Sequence, residues 1–258
     1  MQQTYLETKQ LELLSVVIPV YNEAKTLETC ITNLIQVLTQ NRIPNEIIII
    51  ESNSTDNSRE IVKSLVSKFD IRAYYQEAPL GKGNAVRLGI EKSNGEIVSI
   101  FDADLEYDPN DLIKLITPIT SGQTSFVLGT RHKKGEMMRD LEDRLLLSIM
   151  LNLGHKFFTV IFNFLFNSKL TDPFTMYKVF RKKIFDCVIL KGNAFDLDLE
   201  LVAKSRILGV KIIEILVNYK SRNYSEGKKV NLYTAPLTWL IMMTHCRFQK
   251  NRWYIDQI

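Results

Sequence analysis

Through the first 130 residues, short apolar runs alternate with stretches whose apolar positions recur every three or four residues. This is the pattern of βαβ units around a mostly parallel sheet. It predicts strands at Leu14–Ile18, stopped by Pro19, at Glu46–Ile50, at Ile71–Gln76, at Ile97–Phe101 and at Ser125–Leu128. The isoleucines of the second run have no polar alternation, as expected of a strand buried on both faces. Between the strands, a helix is expected from Glu23 to about Gln40, with Leu27, Cys30, Ile31, Leu34 and Leu38 on its apolar stripe. A second follows an N-cap at Thr55-Asp56, through Val62 and Leu65. A third runs from Gly81 to Lys92, and a fourth starts at Pro109, a residue suited to a first helical turn.

The pattern changes in the second half. Leu145–Phe166 is apolar on most faces and interrupted by Gly154-His155-Lys156. Two helices, or one bent helix, are expected there, packed on the core or lying in a membrane interface. Each uninterrupted part is shorter than the ~20 apolar residues needed to span a bilayer. Lys211–Tyr219 reads as a late strand. Pro236–His245 reads as a second apolar helix, with Trp239 on it and Arg247, Lys250 and Arg252 after it, either an interfacial anchor or a docked helix. The expected organisation is a tail at 1–13, an α/β domain at 14–230 whose halves meet near 131/132, and a helical extension at 231–258.

Composition adds three constraints. Hydrophobic residues make up 45% of the 258 positions, enough for a full core. The three cysteines, Cys30, Cys187 and Cys246, are scattered without metal-ligand spacing, which suits a reducing compartment. The N-terminus is polar and lacks the apolar core of a signal peptide, so a cytoplasmic protein is expected, free or peripheral on the cytoplasmic face of a membrane. The net charge of +4 hides an acidic first half and a basic second half. The basic half is expected to face something anionic, and no nucleic-acid recognition motif accompanies it.

The sharpest chemical signal is Phe101-Asp102-Ala103-Asp104-Leu105-Glu106, where an apolar run ends in carboxylates two residues apart. Residues i and i+2 of an extended segment share a side, so these acids converge just past the strand, where open α/β sheets bind ligands. They form either the ligand set of a hard divalent cation or a solvated acidic turn before Pro109. Polar groups gather at other strand ends too: Pro19-Val20-Tyr21-Asn22-Glu23 after the first, Glu51 to Asp56 after the second. Tyr21 suits stacking on a nucleobase, and Glu23, Glu51 or Asp56 suits accepting hydrogen bonds from base or ribose. Gly81-Lys82-Gly83 completes no known phosphate-loop motif but places an ammonium at a helix start. His132, His155 and His245 have no triad partners in sequence and read as structural or surface residues.

Taken in order, Val17–Glu23, Glu51–Asp56, Gly81–Gly83 and Asp102-Ala103-Asp104 resemble a family 2 glycosyltransferase of the GT-A fold. Asp102–Pro109, Gly129-Thr130-Arg131, Thr171-Asp172-Pro173 with Tyr177–Arg181, and Arg222–Val230 are similar to its polyprenyl-phosphate branch, which includes dolichol-phosphate mannosyltransferases. The resemblance implies inverting transfer of a hexose from a nucleotide-sugar donor, UDP- or GDP-linked, with Mg²⁺ or Mn²⁺ on the diphosphate. It implies donor contacts at Pro19, Tyr21, Glu23, Glu51, Lys82, Asp102 and Ala103, metal ligands at Asp102, Asp104 and Glu106, and catalytic phosphate contacts at Arg131 and Arg222. Glu51-Ser52-Asn53 departs from the Asp-Asp-Gly usual in the family. The acceptor is either a lipid phosphate, which needs no general base, or a glycan hydroxyl, which does. Asp172, Asp196, Asp198 and Glu200 are the carboxylates available for that role, and Lys228 and Lys229 are further acceptor-side candidates. A non-catalytic nucleotide-sugar-binding module is the alternative from another class.

Overall fold

A computed structural model describes residues 12–132, 138, 145–221 and 234–249. Its first half follows the expected alternation: β1 (Leu14–Val20), α1 (Leu27–Gln40), β2 (Asn45–Glu51), α2 (Ser58–Lys68), β3 (Ile71–Tyr75), α3 (Lys82–Lys92), β4 (Ile97–Ile100), α4 (Asp111–Thr120) and β5 (Phe126–Thr130). Then come α5 (Leu145–Phe166), β6 (Lys178–Arg181), α6 (Asp196–Ile207), β7 (Ile212–Leu216) and α7 (Thr234–Phe248). Helix α1 starts at Leu27, because Glu23–Thr26 forms a turn in which the Glu23 carbonyl accepts the Thr26 and Leu27 amides.

The seven strands lie in the order β3-β2-β1-β4-β6-β5-β7. The β1, β2, β3 and β4 pairings are parallel, as is β5 with β7, while β6 runs antiparallel between β4 and β5. Ile47, Ile48, Ile49 and Ile50 are all buried, each worth about 1.5–3 kcal/mol of burial. After β3 the chain returns to β4 on the other side of β1. The strand order thus reverses at β1, and a crevice opens beyond the carboxyl ends of β1 and β4.

Of the two helices or one bent helix expected over Leu145–Phe166, the chain forms one. Gly154-His155-Lys156 does not break α5, a single helix of 22 residues, and Leu146–Phe166 is long and apolar enough to cross a membrane by length and composition. The cost of one glycine, about 1 kcal/mol against alanine, is small beside the packing of a helix held by α6 and α7. The faces of α5 are also inverted. Ser148, His155 and Thr159 point inward and are buried, with Phe162 and Phe166 completing that side. Leu146, Met150, Leu153, Phe157, Val160 and Phe164 point outward, each 61–86% exposed. Helix α7 lies beside it, sending Met242, Met243 and Cys246 into the main core and leaving Leu237, Leu240 and Ile241 exposed.

Candidate active site

The crevice holds a cavity of about 520 Å³, bordered on the β1 side by Pro19, Tyr21 and Glu23 and on the β4 side by Asp102, Ala103, Asp104 and Glu106. Sharp turns follow the strands that lead to it. Asn22 after β1, Asn53 after β2 and Leu105 after β4 all adopt left-handed backbone conformations (φ 53°, 57° and 61°). Asparagine tolerates this region, whereas for leucine it is a strained outlier. The acidic loop is held from several directions. The Phe101 amide donates to the Val17 carbonyl, Thr26 Oγ1 donates to the Ala103 carbonyl at 2.8 Å, and the Cys30 thiol donates to the Asp102 carbonyl at 3.4 Å. Burial pushes that thiol up to about 12, so it stays a protonated donor.

Asp102 is nearly buried, at 9% exposure, and its carboxylate lies 2.7 Å from the Lys82 ammonium. Burial alone would lower the proton affinity of Lys82, but Asp102 and Asp198 outweigh it and hold the lysine above its ordinary value. Lys82 reaches this place because α3 is clamped at its start. A Cβ on Gly83 would lie 2.7–2.8 Å from backbone atoms of 192–194, and Asn84 N–H donates to the Asn193 carbonyl. Glu200 holds that clamp from behind, accepting the Lys191 and Gly192 amides and pairing with Lys204 at 2.6 Å. It does not line the cavity. Asp196 likewise serves the loop, accepting the Ala194 amide.

The far wall joins distant parts of the chain. Tyr219, just after β7, donates its hydroxyl to Glu106 at 2.9 Å, and the Lys220 amide donates to the Glu106 carbonyl. The Arg131 guanidinium lies over the Tyr219 ring, 5.3 Å from its centroid. Arg131 is gripped by Asp172 through Nε at 2.7 Å, Nη2 at 2.8 Å and its backbone N–H at 3.1 Å. Burial favours a protonated Asp172, but the guanidinium outweighs it and holds the carboxyl well below the usual range. His132 and His155 come within 4.8 Å of Asp172 and of each other. A cation there would meet the Arg131 guanidinium, since both Asp172 oxygens already accept from it. Asp198, also on the cavity wall, pairs with the fully buried Lys178 at 3.5 Å. Burial raises its proton affinity despite Lys178 and Lys82.

Most residues singled out from the sequence therefore surround one cavity: Pro19, Tyr21, Glu23, Lys82, Asp102, Ala103, Asp104, Glu106 and Arg131. Glu51 stands apart. It is fully buried, accepting from the Ser54 amide at 2.7 Å and Arg59 Nε at 2.5 Å, partners that override its burial and hold it below the ordinary glutamate value. Asp56 accepts the Ser58 amide at the start of α2 and the Ala24 amide, tying the β1 and β2 turns together. Arg222, Lys228 and Lys229 lie outside the described residues. The sequence reading did not gather the aromatic part of the wall: Tyr107, Phe174, Phe195, Tyr219 and Trp239. Tyr107 lies within the Asp102–Pro109 motif and Trp239 on an expected apolar helix, but the five meet only in the fold. Phe174 and Trp239 meet at a tilt with centroids 4.7 Å apart, Trp239 meets Phe158 at 5.6 Å, and Phe158 meets the exposed Phe157 at 5.5 Å. This makes a run of rings from the cavity to the outer face of α5.

A hard divalent cation fits this site. Asp102 and Asp104 offer carboxylate oxygens beside open volume, and Asp102 already holds a positive group.

The family model for Glycosyl transferase family 2 matches residues 15–189. The dolichol-phosphate mannosyltransferase of Pyrococcus furiosus is 25% identical over 216 residues, a match covering 83% of this chain and 58% of that relative's length. The UDP-N-acetylglucosamine–dolichyl-phosphate N-acetylglucosaminyltransferase of Methanococcus voltae is 26% identical over 239 residues, covering 85% and 91%. Among solved structures, glucosyl-3-phosphoglycerate synthase from Mycobacterium tuberculosis, in complex with Mn²⁺, UDP-glucose and phosphoglyceric acid, matches with a TM-score of 0.64 at 16% identity, covering 91% of this chain and 79% of that one. At that identity the likeness is one of fold.

Proposed function

Because the chain belongs to glycosyl transferase family 2 and has the GT-A fold, we propose that it transfers a hexose, with inversion, from a nucleoside-diphosphate sugar to a polyprenyl-phosphate-type lipid at a membrane surface. The observation that carries this reading is the continuity between a charged cavity and an apolar exterior. Lys82, Asp102, Asp104 and Arg131 line the cavity, and the Phe174–Trp239–Phe158–Phe157 rings lead from it to the outward stripe of α5. An inverted helix with a large exposed apolar face has its natural solvent in lipid. On this reading α5 and α7 lie in the interface of the cytoplasmic leaflet, with the cavity mouth beside the headgroups.

The chemistry assigns each group a task. Tyr21 stacks on the base and Glu23 accepts from base or ribose, orienting the donor. Asp102, Asp104 and Glu106 would hold Mg²⁺ or Mn²⁺, which would supply charge stabilisation to the leaving diphosphate. Lys82 and Arg131 place further positive charge at the phosphates, Arg131 with its fork aligned by Asp172. A lipid phosphate is ionised near neutral pH and attacks without a general base, so the protein need only hold it in line. A second reading has its own observation: Asp198 is buried on the cavity wall with a raised proton affinity, as suits a base for a hydroxyl acceptor.

The test is a donor-and-acceptor screen reading released nucleoside diphosphate. Lipid-phosphate transfer yields a labelled product that enters organic solvent and is acid-labile, and Asp104→Ala abolishes it while leaving the melting temperature near wild type. Label found only in water-soluble glycan refutes the lipid acceptor. Full activity in Asp104→Ala refutes the metal assignment, and binding of nucleotide sugar without turnover favours a non-catalytic module.

A further inference from the structure

Lys82 occupies ground that a bound metal needs. Its ammonium is 2.7 Å from the Asp102 carboxylate, with the Phe195 ring 5.5 Å away. Asp102 is too buried to leave its charge to solvent, and here the protein supplies the counter-charge itself. A divalent cation arriving alone must share that carboxylate with the ammonium, and like charges this close in a partly buried site repel strongly. A nucleoside diphosphate changes the balance. It brings its own negative oxygens, gives the ammonium a better partner, and frees Asp102.

We propose that Lys82 is the resident counter-cation of Asp102 and makes divalent-cation binding conditional on the donor's diphosphate, the ammonium passing from carboxylate to diphosphate as the two ligands enter together. This rests on the donor reading above. Because the coupling is reciprocal, the cation strengthens nucleotide binding by the same factor as nucleotide strengthens cation binding. Clamped by the 192–194 backbone, α3 keeps the lysine within reach of both partners.

The test is titration of the full chain with Mn²⁺, following free Mn²⁺ by electron paramagnetic resonance, with and without saturating UDP or GDP. Wild type is expected to bind Mn²⁺ weakly alone and roughly tenfold or more tightly with nucleotide, within the usual range of coupling. Lys82→Met is expected to bind Mn²⁺ alone roughly fivefold tighter than wild type and to lose most of the nucleotide dependence, while Lys82→Arg keeps the wild-type pattern. Lys82→Met binding Mn²⁺ alone no more tightly than wild type, with melting temperature retained, overturns the counter-cation role only. Wild type is informative even if the variants do not fold, because equal Mn²⁺ affinity with and without bound nucleotide also overturns it. Absence of nucleotide binding to wild type in the presence of Mn²⁺ overturns the donor reading and this proposal together.

Discussion

Replacing Asp172 with alanine removes a carboxylate that is fully buried and takes three hydrogen bonds from Arg131, whose side chain is only 7% exposed. The guanidinium cannot lose its charge, so the variant strands a buried cation. Breaking one side of such a pair costs about 3–5 kcal/mol. For a chain of this size each kcal/mol moves the melting temperature by roughly 2–4 °C, so a fall of about 6–20 °C is expected by circular dichroism or dye-monitored melting. The double variant Arg131→Met, Asp172→Leu, which leaves no lone charge, should be more stable than Asp172→Ala. A pH series gives the sign. The Asp172 carboxyl is depressed in the folded chain, so its contribution is present above the unfolded value of about 3.9 and lost as pH falls through the folded value. Wild type should therefore lose melting temperature more steeply below about pH 4 than the double variant. A shift under about 2 °C for Asp172→Ala, or a double variant worse than the single, would refute the account of this pair.

Two further outcomes follow from packing. Leu153→Glu with Phe157→Glu charges the outward stripe of α5, where both residues are exposed. Binding to anionic liposomes should fall at least about tenfold in a sedimentation assay while melting stays near wild type, and unchanged binding would exclude this face from the membrane contact. Gly83→Ala drives a Cβ into the backbone of 192–194, an overpacking worth about 1–3 kcal/mol. The displaced Lys82 should show as a raised KM for the donor, and wild-type KM and melting would refute the clamp.

The parallel strands β1, β2 and β4 were legible because burial on both faces demands largely apolar runs, here interrupted only by small residues such as the buried Ser15 and Ser99. Strand β6 was not, since its four residues begin with Lys178, whose full burial no local pattern announces. Helix α6 hid for the same reason: Asp198, Glu200, Lys204 and Ser205 are all buried, which erases the polar–apolar period on which a helix is read. In the site, residues next to strand ends could be found by position alone. Partners set by tertiary packing could not: Arg59 turning Glu51 away from the cavity, Asp172 taken by Arg131, or Trp239 arriving from α7.

The bond between Glu106 and Tyr219 spans 113 positions of the chain, and the one between Thr26 and Ala103 spans 77. Contacts so distant in sequence form slowly, because large loops must close before they are rewarded. The acidic loop therefore matures together with the central strands, whose own pairings are as distant: Leu14 lies beside Ile97 and Phe126 beside Ile212. In a refolding time course, local helix signals should rise first, and competence to hold a nucleotide should lag until β7 docks and Tyr219 closes over Glu106.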